Sequence, residues 1–377
     1  MTIEYIDSPD RARDAVGELG REPSLALDCE AAGFHRYSDR LCLVQISTPA
    51  GRDLIFDPLR VDLSDLLRPL LEDPGRRLVM HGGDYDFRLL DRDLGIRPRG
   101  LFDTQVAASL LGLPGLGLAA LLEEHFEVRL SKKYQRADWA KRPLERGMLE
   151  YAAADTRYLH PLSARLADAL EDTGRLEWAE EECRAMEEIR WVEDQPEDPV
   201  VRVKAARRMS PREVERLRTA LDWRDEIARG QDRAPFRVSP DAALVDVAVS
   251  PPASVHELSA RKGMNSRVVQ SWGQDLVTRL REIDEKDDSA LRGYPPPTRR
   301  GPGRPAPEVE ELAEVLKRER NRTAEELGLD RGVLLSNNLL LEIVRAAPAS
   351  RDELLGVEGV RQWQVEVLGD RLLSALG

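Results

Sequence analysis

At 377 residues and 41% hydrophobic content, the chain is too long for one ordinary core and too polar for a membrane protein, so two or three domains are expected. A formal charge of −13, from 56 lysines and arginines against 69 acids, excludes a protein that coats nucleic acid by bulk charge and leaves only local contacts with it. Three scattered cysteines, Cys29, Cys42 and Cys183, form no Cys-x-x-Cys pair; they argue against a disulfide framework or a zinc site and fit a reducing cytoplasm.

Residues Met1–Asp14 carry acids and arginines where an export signal needs an apolar stretch. Strand-like runs follow at Leu25–Leu27, Leu41–Ile46, Asp53–Phe56 and Arg77–Met80. In Leu25-Ala26-Leu27-Asp28-Cys29-Glu30 the period of two puts Leu25, Leu27 and Cys29 on one face and Asp28 with Glu30 on the other. Adjacent carboxylates repel, and a divalent cation is the usual relief; taken alone, solvent-facing acids at a strand end explain such a pair as well. Phe34, His35 and Tyr37 come next, either as stacking partners for a terminal base or as loop anchors.

The run His81-Gly82-Gly83-Asp84-Tyr85-Asp86 reads as strand, glycine turn and helix start. Asp84 reads as the helix cap, and Asp86, in the first turn, points toward the strand ends where open sheets gather ligands. Helical spacing at Phe87, Leu90 and Leu94 ends at Gly95, and Asp103 before Thr104-Gln105 reads as a second cap. Val106–Leu122 is free of charge but broken by Gly112-Leu113-Pro114-Gly115, so it is read as two buried helices joined by a turn. Lys132, Lys133, Arg136, Lys141 and Arg142 make a basic stretch, either a guide for a phosphate backbone or a solvated loop. In Glu150-Tyr151-Ala152-Ala153-Ala154-Asp155, Tyr151 and Asp155 share one helix face. None of the five histidines has metal-ligand spacing, and His81 reads as a turn or core residue.

Asp194–Pro199 reads as a linker. Helical patterning then runs from about Met209 to Ile283, and a Pro/Gly-rich tether from Gly293 to Pro305 leads to a last helical unit. Within the tether, Arg299–Pro305 faintly resembles an AT-hook but reads as linker. The two helical units share an outline, with Ser254-Val255-His256-Glu257-Leu258 in one and Ser350-Arg351-Asp352-Glu353-Leu354 in the other, and are read as a diverged repeat.

The ordered set Asp28-x-Glu30, Asp86 and Tyr151-x-x-x-Asp155 resembles the DEDDy exonucleases, and Asp103-Thr104-Gln105 and Asp138-Trp139 with Arg142-Pro143-Leu144 are similar to the ribonuclease D family within them. Leu217 through Trp223-Arg224 to Leu258 resembles the HRDC helical domain, and the last unit a second, weaker copy. The resemblance implies an α/β nuclease domain over residues 1–192, with a ribonuclease-H-like mixed sheet flanked by helices. Two all-α HRDC-type helical domains would follow at 206–285 and 308–377, joined by a Pro/Gly-rich linker at 286–307.

It also implies two divalent cations, Mg²⁺ or Mn²⁺. Asp28, Glu30 and Asp155 would hold the first, Asp28 would bridge to the second, and Asp86 would support the second through water. Two such ions about 3.5–4 Å apart flank a scissile phosphate, and Tyr151 would orient the attacking water. The expected activity is 3′-to-5′ exoribonuclease trimming of RNA 3′ ends, tRNA precursors above all, releasing nucleoside 5′-monophosphates. Phe34, His35, Lys132, Lys133 and Arg136 are the candidate RNA contacts, and neither membrane nor obligate protein partner is expected. A DNA 3′-to-5′ exonuclease is the first alternative, because the motifs do not read the sugar. A catalytically silent RNA-binding scaffold is the second, and retention of all five site residues speaks against it.

Overall fold

The computed structural model describes residues 3–193, 197–296 and 306–377. The four runs expected as strands are strands: β2 (Ser24–Ala31), β3 (Leu41–Ser47), β4 (Asp53–Phe56) and β5 (Arg77–Met80). Two short edge strands were not expected, β1 (Ile3–Ile6) and β6 (Leu101–Asp103). The sheet order is β1-β4-β3-β2-β5-β6. β2 runs antiparallel to β3, and β3 to β4, while β1, β5 and β6 pair in parallel with their neighbours. The sheet is therefore mixed, with β2 in its centre.

Alternation decides what each face carries. Leu25, Leu27, Val44, Ile46, Leu54 and Phe56 turn toward α1 (Pro9–Leu19), α2 (Ser64–Leu71) and α3 (Asp84–Leu94). Leu43 and Ile55 turn the other way, against Trp139 and against Met148, Ala152 and Ala153 of α6 (Arg146–Arg157). The alanines remove side-chain bulk, so α6 lies close to the sheet. Two ion pairs pin this layer to β4 and the residue that follows it, Arg157 to Asp53 and Arg142 to Asp57, both at 2.6 Å with the acid fully buried. Removing either arginine would strand a buried charge.

The charge-free stretch forms α4 (Thr104–Leu110) and α5 (Leu118–Phe126) with a turn between them, as its composition predicts. Among the described residues no helix is long and apolar enough to cross a membrane. After α7 (Leu159–Asp172) and α8 (Leu176–Met186) the chain enters the helical units.

The first unit comprises α9 (Pro211–Gly230), α10 (Pro235–Val238), α11 (Asp241–Val249), α12 (Val255–Ser259) and α13 (Ser266–Asp284), packed around the buried Trp223. The second comprises α14 (Pro307–Leu327), α15 (Arg331–Leu334), α16 (Asn337–Ala346), α17 (Arg351–Leu355) and α18 (Gln362–Leu376). Their kinship shows in the caps. Ser254 accepts from Glu257 N–H while the Glu257 carboxylate accepts from Ala253 N–H, and Ser350, Glu353 and Ala349 repeat the arrangement. The start of the expected linker is packed rather than free, because the buried Arg218 guanidinium finds acceptors in the Arg292 and Gly293 carbonyls. The Arg299–Pro305 run lies outside the described residues.

The units dock differently. The first touches the nuclease domain mainly through polar contacts: the Tyr37 hydroxyl donates to Asp225 at 3.0 Å, and Ala234 N–H donates to the His35 carbonyl at 3.1 Å. The second shares an apolar core with α4, α5, α7 and α8, in which Trp363 stacks on Trp178 with centroids 4.7 Å apart.

Candidate active site

Three elements converge on the face of the sheet covered by α6. β2 brings Asp28 and Glu30, the first turn of α3 brings Asp86, and α6 brings Tyr151 and Asp155 one turn apart. Ligand oxygens of Asp28, Glu30 and Asp155 all lie within 4.8 Å of one another. Asp86 is outside that trio but close enough that its charge is the largest carboxylate influence on Asp28.

Burial, and then the neighbouring acids, push Asp28 and Glu30 well above the usual carboxylate range. Burial raises Asp155 to about 7, and burial with the charge of Asp103 raises Asp86 to about 8. The charged neighbours acting on Asp28 and Glu30 are all acids, and only a backbone hydrogen bond from Cys29 favours the ionised Asp28, so no cation of the protein compensates them. Buried acids without a cation are costly to ionise, and hard divalent ions are the partners that such an oxygen set accepts. The donor set therefore fits Mg²⁺ or Mn²⁺.

Burial and the charges of Asp155, Glu30 and Asp28 also raise the Tyr151 phenol, which keeps its proton. Its ring is held by Trp139 at 5.9 Å and Tyr134 at 6.4 Å between centroids. A cavity of about 310 Å³ opens beside it, lined by Tyr151, Asp155, Tyr134, Lys133 and Gly147 among others. A β-carbon at Gly147 would sit 2.6 Å from the Tyr134 hydroxyl, so a glycine is needed there for Tyr134 to close the wall.

A family model described as 3′-5′ exonuclease matches residues 3–171, and the HRDC domain model matches twice, at 213–280 and 309–376. Ribonuclease D of Escherichia coli (strain K12) is 32% identical over 292 residues, 77% of this chain and 77% of its own length. Ribonuclease D of Pseudomonas paraeruginosa is 30% identical over 377 residues, 99% of this chain and 97% of its own. The chain belongs to the ribonuclease D family. The crystal structure of Escherichia coli RNase D, described as an exoribonuclease involved in structured RNA processing, has a TM-score of 0.67 at 26% identity and covers 100% of this chain and 99% of that one. As a member of this family the chain is a 3′-to-5′ exoribonuclease.

The other candidate residues separate on inspection. Lys133 lines the cavity with its ammonium 4.8 Å from the Tyr134 ring centroid, whereas Lys132 is exposed and does not line it. Phe34 and Arg136 are exposed and adjacent, with the guanidinium 5.5 Å from the ring centroid. His35 is a strut, with Nε2 2.8 Å from the Arg136 carbonyl, and Tyr37 is a loop anchor on the first helical unit. His81 bonds the Thr104 hydroxyl at 2.9 Å.

One capping assignment changes, and the other holds with an added role. Asp84 is not the cap of α3: Gly83 holds that place, and Asp84 is the first helical residue, exposed and paired with Arg88. Asp103 does cap α4, accepting from Gln105 and Val106 N–H, but its carboxylate also accepts from Gly82 N–H at 3.0 Å and Gly83 N–H at 2.8 Å. It thus holds the turn that aims Asp86. Gly82 has φ +67, a conformation that favours glycine, and a cap read from local sequence cannot reveal a second customer twenty residues upstream.

Proposed function

We propose that this exoribonuclease holds two divalent cations, Mg²⁺ or Mn²⁺, on Asp28, Glu30, Asp86 and Asp155, and removes nucleoside 5′-monophosphates one at a time from RNA 3′ ends, tRNA precursors among them. The observation that carries the reading is the half-buried trio Asp28, Glu30 and Asp155, whose ligand oxygens converge within 4.8 Å while the charges acting on Asp28 and Glu30 are all acidic. Bound divalent ions supply charge neutralisation at the attacking and leaving oxygens of a phosphodiester. The protonated Tyr151 hydroxyl, beside Asp155, donates a hydrogen bond that orients a water, and the Tyr151 and Tyr134 rings wall off bulk solvent. Lys133, at the cavity mouth, meets the backbone phosphate.

The test is metal-dependent shortening of end-labelled tRNA precursor, unstructured RNA and single-stranded DNA, with Mg²⁺, Mn²⁺ or chelator, beside Asp155→Ala. The wild type is expected to shorten RNA only with metal, and Asp155→Ala to lose at least a thousandfold in rate with an unchanged circular dichroism spectrum. Near wild-type turnover in the variant would remove the assignment. Faster shortening of DNA than of RNA would favour the DNA exonuclease.

A further inference from the structure

Two aromatic side chains meet across the boundary between the nuclease domain and the first helical unit. Phe34, in the loop after β2, and Phe236, on α10, have ring centroids 5.5 Å apart, yet they remain 40% and 49% exposed. Backbone contacts fix them there. Ala234 N–H donates to the His35 carbonyl, and Arg237 Nε donates to the Phe34 carbonyl at 3.0 Å. A ring pair held half open at a domain boundary presents π faces to solvent, and contacting aromatics ordinarily bury one another.

Cations surround the pair. The Arg237 guanidinium lies 5.0 Å from the Phe34 centroid and 5.8 Å from that of Phe236, and Arg136 lies 5.5 Å from Phe34. In the same loop, Arg36 pairs with Asp138 and Asp232, and Arg40 with Asp232. Arg136 and Arg237 meet no carboxylate among the described residues. Exposed rings flanked by guanidiniums that no carboxylate neutralises are the chemistry of a single-strand platform, where bases stack and phosphates are neutralised.

The patch stands between the catalytic cavity, reached along a short stretch of chain, and a second cleft that its own residues line. Residues 133–136 lead from the Tyr151 and Asp155 cavity to Arg136. Past Phe236 and Arg237 a cleft of about 620 Å³ runs to Asn265 and Arg267 at the start of α13. We propose that Phe236 and Arg237, together with Phe34 and Arg136, form a composite subsite that stacks a base and holds a phosphate of the single-stranded RNA segment upstream of the scissile bond. The proposal rests on the exoribonuclease reading of the neighbouring acids. It gives the first helical unit a direct hand on the RNA tail.

The experiment compares the full-length wild type, Phe236→Ala, Arg237→Ala and Phe236→Trp on an unstructured RNA octamer and on a dinucleotide, which lacks the upstream segment. Phe236→Ala is expected to raise KM for the octamer about 5- to 100-fold, the loss of one stacked base, with kcat and dinucleotide hydrolysis within twofold of wild type. Arg237→Ala is expected to raise KM and reduce the slope of log affinity against log salt by about one. Phe236→Trp, which keeps the stack, is expected to behave as wild type. Unchanged octamer KM in both alanine variants would overturn the proposal, as would equal losses on both substrates or a Trp variant as impaired as the Ala variant. Failure of the underlying reading looks different: the wild type hydrolyses neither substrate. Fluorescence anisotropy of labelled octamer on Asp155→Ala, with and without Phe236→Ala, reads the subsite without turnover; equal affinity would overturn it.

Discussion

Burial and the charge of Asp103 hold the Asp86 proton up to about pH 8, and burial alone holds that of Asp155 up to about 7. In the unfolded chain both would titrate near 4. The folded-state values are raised, so the metal-free protein has their full contribution below pH 4 and loses it as pH climbs toward 8. His81 and His160, which burial depresses, act in the opposite sense, but only below about 6.5. Between pH 6.5 and 8 the metal-free Tm is therefore expected to fall by several degrees. Asp86→Asn should flatten that fall, and added Mg²⁺ should raise Tm more at pH 8 than at 6.5. Differential scanning fluorimetry with chelator checks this, and a metal-free Tm that rises across the window would contradict it. At this scale the sequence was informative wherever periodicity operates: alternation placed Asp28 beside Glu30, and helical spacing placed Tyr151 over Asp155. The approach of Asp86 to them depends on a turn between separate elements, and no spacing rule encodes that.

That turn belongs to the element scale. Asp103 ends β6, caps α4 and clamps Gly82 and Gly83 ahead of α3, so one carboxylate sets two helix starts on the strand ends. Asp103→Ala would leave up to four N–H groups seeking acceptors, at about 1–3 kcal/mol for each that stays buried and unpaired. The variant is expected to lose about 2–4 kcal/mol of stability in urea titration and to lower kcat at least tenfold per folded molecule. Wild-type kcat in the folded fraction would show that the clamp does not aim Asp86. β2 to β5, the broken apolar stretch and the Gly95 helix stop were all readable, because each has enough residues or a turn signal of its own. β1 and β6 escaped because their identity as strands comes from pairing with β4 and β5 rather than from their own pattern. Gly83, not Asp84, caps α3 because the Asp84 carboxylate turns outward to Arg88.

For the whole molecule, the two helical units differ in what they cost the nuclease domain if lost. The first has its own core and a mainly polar contact with the nuclease domain, while the second closes a core shared with α4, α5, α7 and α8. Trp363→Ala removes the stack on Trp178 and leaves the Glu182 carboxylate without the indole N–H at 2.9 Å, a change of about 3–5 kcal/mol. Calorimetry is expected to show two transitions, with Trp363→Ala lowering the nuclease transition and Trp223→Ala lowering only the other. A nuclease transition indifferent to Trp363 would mean that the shared core is not cooperative. The repeat was visible in the sequence because both copies keep the same Ser and Glu caps; the unequal docking was not, because it depends on which outer face each copy turns to the nuclease.

The Trp178–Trp363 stack also sets an order of events at the ribosome. Glu181 and Glu182 wait for the Gln362 and Trp363 groups, some 180 positions later in the chain. At roughly 5–20 residues per second, synthesis needs about 10–35 s to bring them out. For that interval the catalytic sheet can be formed while the apolar side of α4, α5, α7 and α8 stays bare, and only the last helices cover it.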